Sequence, residues 1–124
     1  MNLKIKDILK CTKGKLIIGD IEQECKSYSK DTRTIKKGDT YIGIKGEKFD
    51  GSLFWKEALN NGAETVIINK IDLEDIEKYQ KQNKNIIQVE DTIQAIGEMA
   101  SLKMRILKNT YNLKVVGVTG SVGK

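Results

Sequence analysis

Four short runs of β-branched and aliphatic residues set the frame for this chain. They are Leu16-Ile17-Ile18, Thr40-Tyr41-Ile42-Gly43-Ile44, Thr65–Ile68 and Ile86-Ile87-Gln88-Val89. Runs of that length and composition read as strands, and the fully apolar ones as buried strands. Helix-like segments separate them. Ile5, Ile8 and Leu9 share one face of a short helix over Ile5–Thr12, with Gly14 near its end. Ser52 is placed to cap a helix running to about Asn61, with Phe54, Trp55, Ala58 and Leu59 as its buried side and Gly62 as its stop. A further helical piece is expected over residues 73–79. The clearest helix follows Asp91, which stands at capping-box spacing from Gln94; Ile93, Ile96, Ala100, Met104 and Leu107 form its apolar stripe. Strands alternating with helices indicate an α/β fold. A loop over residues 109–112 and a last strand over residues 114–118 complete the expected order.

Composition narrows the function classes. With 39% hydrophobic and 31% charged residues in 124, the chain has the make-up of a soluble globular domain with a core. No apolar run approaches the roughly 18–20 residues that cross a bilayer. Charges at Lys4, Lys6 and Asp7 occupy the place of a signal peptide's apolar core, so a cytoplasmic location is expected. Cys11 and Cys25 lack metal-site spacing and histidine is absent, which argues against zinc and for two reduced thiols. The net charge of +5 comes from scattered lysines, with only Arg33 and Arg105 as arginines. That pattern argues against a nucleic-acid reader, which clusters arginine; it reads as scattered solvated lysine, with a mild attraction for a polyphosphate ligand as the alternative.

The last residues carry the strongest local signal. A strand running into Gly117, Val118, Thr119, Gly120, Ser121, Val122, Gly123 and Lys124 has the form of a phosphate-binding loop. Small residues there let backbone N–H groups converge on anionic oxygens while the lysine reaches the outer phosphates. Val118 stands where the strict pattern has its first glycine, and no hydroxyl residue follows Lys124 in this sequence.

Three further segments occur with that loop: Ser29-Lys30-Asp31-Thr32-Arg33, the stretch from Gly38-Asp39-Thr40 through Gly46-Glu47-Lys48-Phe49-Asp50-Gly51, and Ala58-Leu59-Asn60-Asn61-Gly62-Ala63 leading into Thr65–Ile68. In this order and spacing they resemble the amino-terminal part of the Mur ligases, which add amino acids to the nucleotide-linked precursor of bacterial cell wall. The resemblance covers nearly the whole chain. It implies a small mixed-sheet domain over residues 1–108 that binds the UDP end of the precursor. Residues 109–124 would then hold the first strand and P-loop of a truncated Rossmann-like ATPase domain. Within the family the loop Gly120-Ser121-Val122-Gly123-Lys124 and the segment from Ala95 to Ala100 resemble the member that joins D-alanyl-D-alanine to UDP-N-acetylmuramoyl-tripeptide. The sibling that adds the third amino acid, and a free-standing non-catalytic uridine-nucleotide-binding module, are the alternatives.

The resemblance also implies a mechanism and a site. In the family the precursor carboxylate takes the γ-phosphate of ATP, with Mg2+ present, to form an acyl phosphate, and the incoming amine attacks its acyl carbon and displaces phosphate, so catalysis is mainly positioning and charge neutralisation. Lys30, Thr32, Arg33, Glu47, Lys48 and Phe49 would lie along the uridine and its phosphates, and residues 117–124 would bind ATP. From the residues alone, Asp31 and Arg33 also read as a turn-stabilising ion pair, Phe49 as core, and Asp39 and Asp50 as turn and helix caps. Phe54 and Trp55 read as core. No catalytic or metal-binding residue is expected within the chain, which alone is expected to be inactive and monomeric, without membrane insertion.

Overall fold

The computed structural model describes residues 3–115, with side chains through Asn109. In chain order it contains β1 (Leu3–Lys4), α1 (Ile5–Thr12), β2 (Lys15–Ile18), β3 (Glu24–Cys25), β4 (Tyr28–Ser29), β5 (Thr40–Ile42), α2 (Trp55–Asn60), β6 (Thr65–Ile68), α3 (Ile76–Lys81), β7 (Asn85–Gln88) and α4 (Thr92–Val115). Five strands form one sheet in the order β2-β7-β6-β5-β4. The pairs β4–β5, β5–β6 and β6–β7 are parallel, and β2 closes one edge antiparallel to β7. The sheet is therefore mixed. β1 and β3 make a separate antiparallel pair, Leu3 opposite Cys25.

The continuous apolar runs have a simple cause: the central strands are covered on both faces. Successive side chains of a strand point to opposite sides. Val66 and Ile68 of β6 thus join Tyr41, Trp55, Ala58, Leu59, Tyr79 and Ile86 in one cluster, under α2 and α3. Ile67 joins Ile42, Ile87, Ile5, Ile8, Ala95 and Met99 in the other, under α1 and α4. Every β6 residue is buried. At about 1.5–3 kcal/mol for each large aliphatic side chain removed from water, β6 alone accounts for a substantial part of the folding energy.

Polar details fix where the elements begin. The first N–H groups of α1 find no side-chain cap; Ile5 and Lys6 donate to the carbonyls of Gln23 and Ile21, both at 2.9 Å. At α4 the Asp91 carboxylate accepts from the N–H groups of Ile93 (2.9 Å) and Gln94 (3.1 Å), the cap expected from the sequence. In the core, Asn85 is buried between β6 and β2. Its Oδ1 accepts from the Asp20 N–H at 2.9 Å and its Nδ2 donates to Thr65 Oγ1 at 3.2 Å. Cys25 is buried and Cys11 half-buried; both thiols are free, and burial raises the pKa of each.

Several expectations are corrected. The polar stretch at 27–34 contains β4, whose two residues gain strand geometry by pairing with β5 and not from any apolar pattern. Helix α3 starts three residues later than expected and leaves Leu73 exposed. Ser52 caps nothing: Asp50 accepts from its N–H at 3.0 Å, and a 3-10 turn over Gly51–Phe54 precedes α2. Phe54 is exposed, because the turn rotates it away from the side on which Trp55 is buried. On α4 the packed residues are Ala95, Ile96, Met99, Leu102 and Ile106; of the expected stripe only Ile96 is among them, whereas Ile93, Ala100, Met104 and Leu107 face out. The two stripes have the same spacing, so period alone could not choose between them; the fit against α1 does. Finally, α4 continues through Val115 where a loop at 109–112 and the start of a strand were expected, since a helix already packed on the core from Ala95 to Ile106 propagates at little further cost. The remainder of the expected strand and all of residues 117–124 lie outside the described residues.

Among the described residues no helix is long and apolar enough to cross a membrane. Replacing Asn85 by Ala is expected to lower the unfolding free energy by about 1–3 kcal/mol, because it takes the acceptor from the part-buried Asp20 N–H and a donor from the buried Thr65 hydroxyl. Urea unfolding followed by circular dichroism measures this, and an unchanged midpoint would mean that water takes over both partners.

Candidate functional site

The site begins with a small turn built from its own side chains. The Asp31 carboxylate accepts from the N–H of Arg33 at 2.9 Å and so opens a 3-10 turn over Thr32–Thr34. Arg33 folds back on the same carboxylate, with Nε at 3.1 Å and Nη2 at 2.9 Å. The guanidinium's hydrogen bonds hold the Asp31 carboxyl below its ordinary pKa, and Asp31 raises that of Arg33 in return. Both groups are solvent-facing, so the pair shapes the turn more than it stabilises the fold. Ser29 Oγ accepts from the Asp31 N–H at 3.2 Å and joins the turn to β4.

Opposite the turn lies the loop after β5. Gly51 N–H donates to the Ile44 carbonyl at 2.9 Å and Gly46 N–H to the Phe49 carbonyl at 2.6 Å, so the loop closes on itself. Two of its glycines are required by this closure. A Cβ on Gly43 would lie 2.7 Å from the Ser52 nitrogen, and one on Gly51 would lie 2.7 Å from the Ile44 nitrogen. Below the loop, the buried Tyr41 hydroxyl donates to the Gly51 carbonyl at 2.8 Å, and burial pushes its pKa up to about 12. Ser52 is also buried; its hydroxyl accepts from the Asn69 N–H at 2.9 Å and anchors the loop to the end of β6. At the rim, Phe49 and Phe54 stack with ring centroids 5.1 Å apart and planes 11° from parallel. Both rings remain substantially exposed, at 54% and 37%.

Turn and loop enclose a cleft of about 550 Å³ lined by Lys30, Asp31, Thr32, Arg33, Tyr41, Ile44, Gly46, Phe49, Phe54 and Glu57. It offers an exposed aromatic surface, a hydroxyl and cationic groups within one concavity. Such a set suits a ligand with a flat ring at one end and anionic oxygens at the other. Arg33's charge is engaged by Asp31; Lys30 has no ion-pair partner among the described residues. From α2, Glu57 Oε2 accepts from Thr32 Oγ1 at 3.0 Å and Asn61 Nδ2 donates to the Thr32 carbonyl at 3.0 Å.

Of the residues expected from the sequence, the fold brings Lys30, Thr32, Arg33 and Phe49 into the cleft. Glu47 and Lys48 sit on the same loop, exposed, but do not line it. Asp31–Arg33 is the ion pair, and Asp39 and Asp50 are the caps, that the residues alone suggested. Asp31, Tyr41, Ile44, Gly46, Phe54 and Glu57 were missed as site residues. Phe54 carried one usable signal, a second aromatic flanking the same glycine-bounded loop as Phe49. Glu57 carried none without the packing of α2 against the turn. The ATP-loop residues 117–124 lie outside the described residues.

Known proteins place this architecture. The family described as "Mur ligase family, catalytic domain" matches residues 25–104, well over half of the chain. A UDP-N-acetylmuramoyl-L-alanyl-D-glutamate–2,6-diaminopimelate ligase from Phocaeicola vulgatus is 32% identical over 122 residues, covering 98% of this chain and 24% of that protein. Its counterpart from Clostridium perfringens is 33% identical over 120 residues, covering 97% and 23%. The chain therefore spans about a quarter of the length of the curated relatives it matches. Among solved structures, a MurF from Acinetobacter baumannii superposes with a TM-score of 0.64 at 23% identity, over 79% of this chain and 20% of that one. A MurF ligase from Thermotoga maritima in complex with ADP gives 0.52 at 25% identity, over 64% and 17%. On the family match, and on relatives about a third identical over nearly the whole chain, the chain belongs to the Mur ligase family.

Proposed function

We propose that this chain is the precursor-binding part of a cytoplasmic, ATP-dependent Mur ligase, and that its cleft holds the uridine diphosphate end of a UDP-N-acetylmuramoyl-peptide. The observation that carries this reading is the convergence of the Phe49–Phe54 platform, the Thr32 hydroxyl and the unpaired Lys30 on one cleft in a chain of this family. The ring pair would support the base, and Lys30 would attend the diphosphate. The buried anchors at Tyr41 and Ser52 hold that geometry before a ligand arrives, which lowers the ordering cost of binding. ATP and Mg2+ would be held elsewhere in the ligase, with Gly117, Thr119, Gly120, Ser121, Gly123 and Lys124 leading into the phosphate loop. The described residues would bind and orient the precursor and take no part in the phosphoryl transfer itself.

For the step catalysed, identity of about a third over nearly the whole chain favours addition of the third residue of the peptide, the reaction named for the curated relatives. A second reading, addition of D-alanyl-D-alanine to the tripeptide precursor, is favoured by the sequence Gly120-Ser121-Val122-Gly123-Lys124. A full-length ligase carrying this chain is expected to release phosphate from ATP with UDP-N-acetylmuramoyl-dipeptide and diaminopimelate. Turnover only with the tripeptide precursor and D-alanyl-D-alanine would select the second reading.

Calorimetric titration tests the site. UDP should bind this chain, and Lys30→Ala should weaken it about three- to tenfold at low salt, with the difference shrinking as ionic strength rises. Lys48→Ala, outside the cleft, should change affinity less than Lys30→Ala does. Equal affinity for UDP in the wild-type and Lys30→Ala chains across the salt series would remove Lys30 from the diphosphate site.

A further inference from the structure

The contact between Thr32 and Glu57 fixes more than a distance. A carboxylate can only accept a hydrogen bond, so the Thr32 hydroxyl must spend its single proton on Glu57 Oε2, 3.0 Å away. What the hydroxyl then presents elsewhere is its lone pairs. The same helix also steadies the backbone there, since Asn61 Nδ2 donates to the Thr32 carbonyl at 3.0 Å. Glu57 and Asn61 are four residues apart, and so fall on one face of the helix and its cap. The opposite side of α2 is locked into the core through Trp55, Ala58 and Leu59. One helix therefore grips the hydroxyl and the carbonyl of Thr32, and Thr32 and Glu57 both line the cleft.

We propose that Glu57 is a positioning residue that holds Thr32 as a hydrogen-bond acceptor, and that the cleft thereby selects a pyrimidine with an imide N–H, uracil, over cytosine. Uracil offers a donor at its ring nitrogen between the two carbonyls; cytosine offers a lone pair at the same place. Against a hydroxyl already committed as a donor to Glu57, cytosine leaves two acceptors facing each other and both unsatisfied. A site built to hydrogen-bond one pattern rejects the other strongly. The negative charge of Glu57 acts in the same direction, since it disfavours phosphate beside Thr32 and leaves that position to the base. This inference rests on the reading that the cleft takes a uridine nucleotide.

The test is the ratio of UDP to CDP affinity, measured by calorimetry on the whole 124-residue chain. The wild-type chain should prefer UDP by about tenfold or more. Glu57→Gln can donate its amide proton to Thr32 and release the hydroxyl to turn, so the preference should fall by about tenfold. Thr32→Val should lose the preference as well, and Thr32→Ser should keep it. A role limited to supporting the fold would weaken both nucleotides alike and leave the ratio where it was. An unmoved ratio in Glu57→Gln or in Thr32→Val, with UDP still bound, overturns the proposal and leaves the nucleotide site standing. Failure of the wild-type chain to bind UDP at all overturns both.

Discussion

Burial of β6 on both faces is the constraint from which the rest of the structure follows. A strand whose four residues are all inaccessible to water needs a layer above and a layer below, and neighbours on each edge to satisfy its backbone. β5 and β7 supply the neighbours, α1 and α4 one layer, and α2 and α3 the other. The parallel direction of these central strands forces a crossover between each pair, and the crossover from β5 to β6 carries the cleft loop and α2. The site is thus made of the connection that the buried strand demands, fastened by Tyr41 below and Ser52 beside it.

Within the cleft the charges are arranged unequally. Arg33 is drawn onto Asp31 and shapes the turn, so its contribution to an incoming anion is already largely offset. Lys30, three residues before Arg33 and just ahead of the turn, is left to act on a ligand. A scattered net charge of +5 is therefore a poor guide to where an anion would go. The side chains that are free of local partners decide it.

The fold was legible in the sequence wherever a strong apolar pattern had only one solution. The strands at 40–42, 65–68 and 86–88 and the helix Ile5–Thr12 are where their residues put them. It was illegible where tertiary pairing did the work. β4 and the β1–β3 pair have no apolar run, and exist because a neighbouring strand offers hydrogen-bond partners. Phe54 was misassigned because aromatic residues beside a helix start suggest a core, whereas the 3-10 turn re-aims it toward the cleft. Apart from Ile96, the stripe expected to face inward on α4 faces out, because both stripes recur at helical spacing. Of the candidate site, the turn around Thr32 and the ring of Phe49 were visible as motifs. The part contributed by Glu57 depends on a contact across 25 positions in the chain, which no local pattern encodes.

Helix α4 outgrows the sheet it packs on. At about 1.5 Å per residue its 24 residues span about 36 Å, while a four-residue strand spans only about 13 Å. Its footing on the core runs from Ala95 to Ile106, with Met99 the deepest side chain after Ala95. Whatever rocks the helix on that footing is amplified toward Val115. A tilt of about ten degrees around Met99 displaces the far end by about 4 Å, at 1.5 Å rise per residue. The helix is in effect a lever whose short arm is held by the same cluster that packs the inner side of the central strands, so small repacking around Ile42, Ile67 and Ile87 is converted into a much larger displacement at a distance from the cleft.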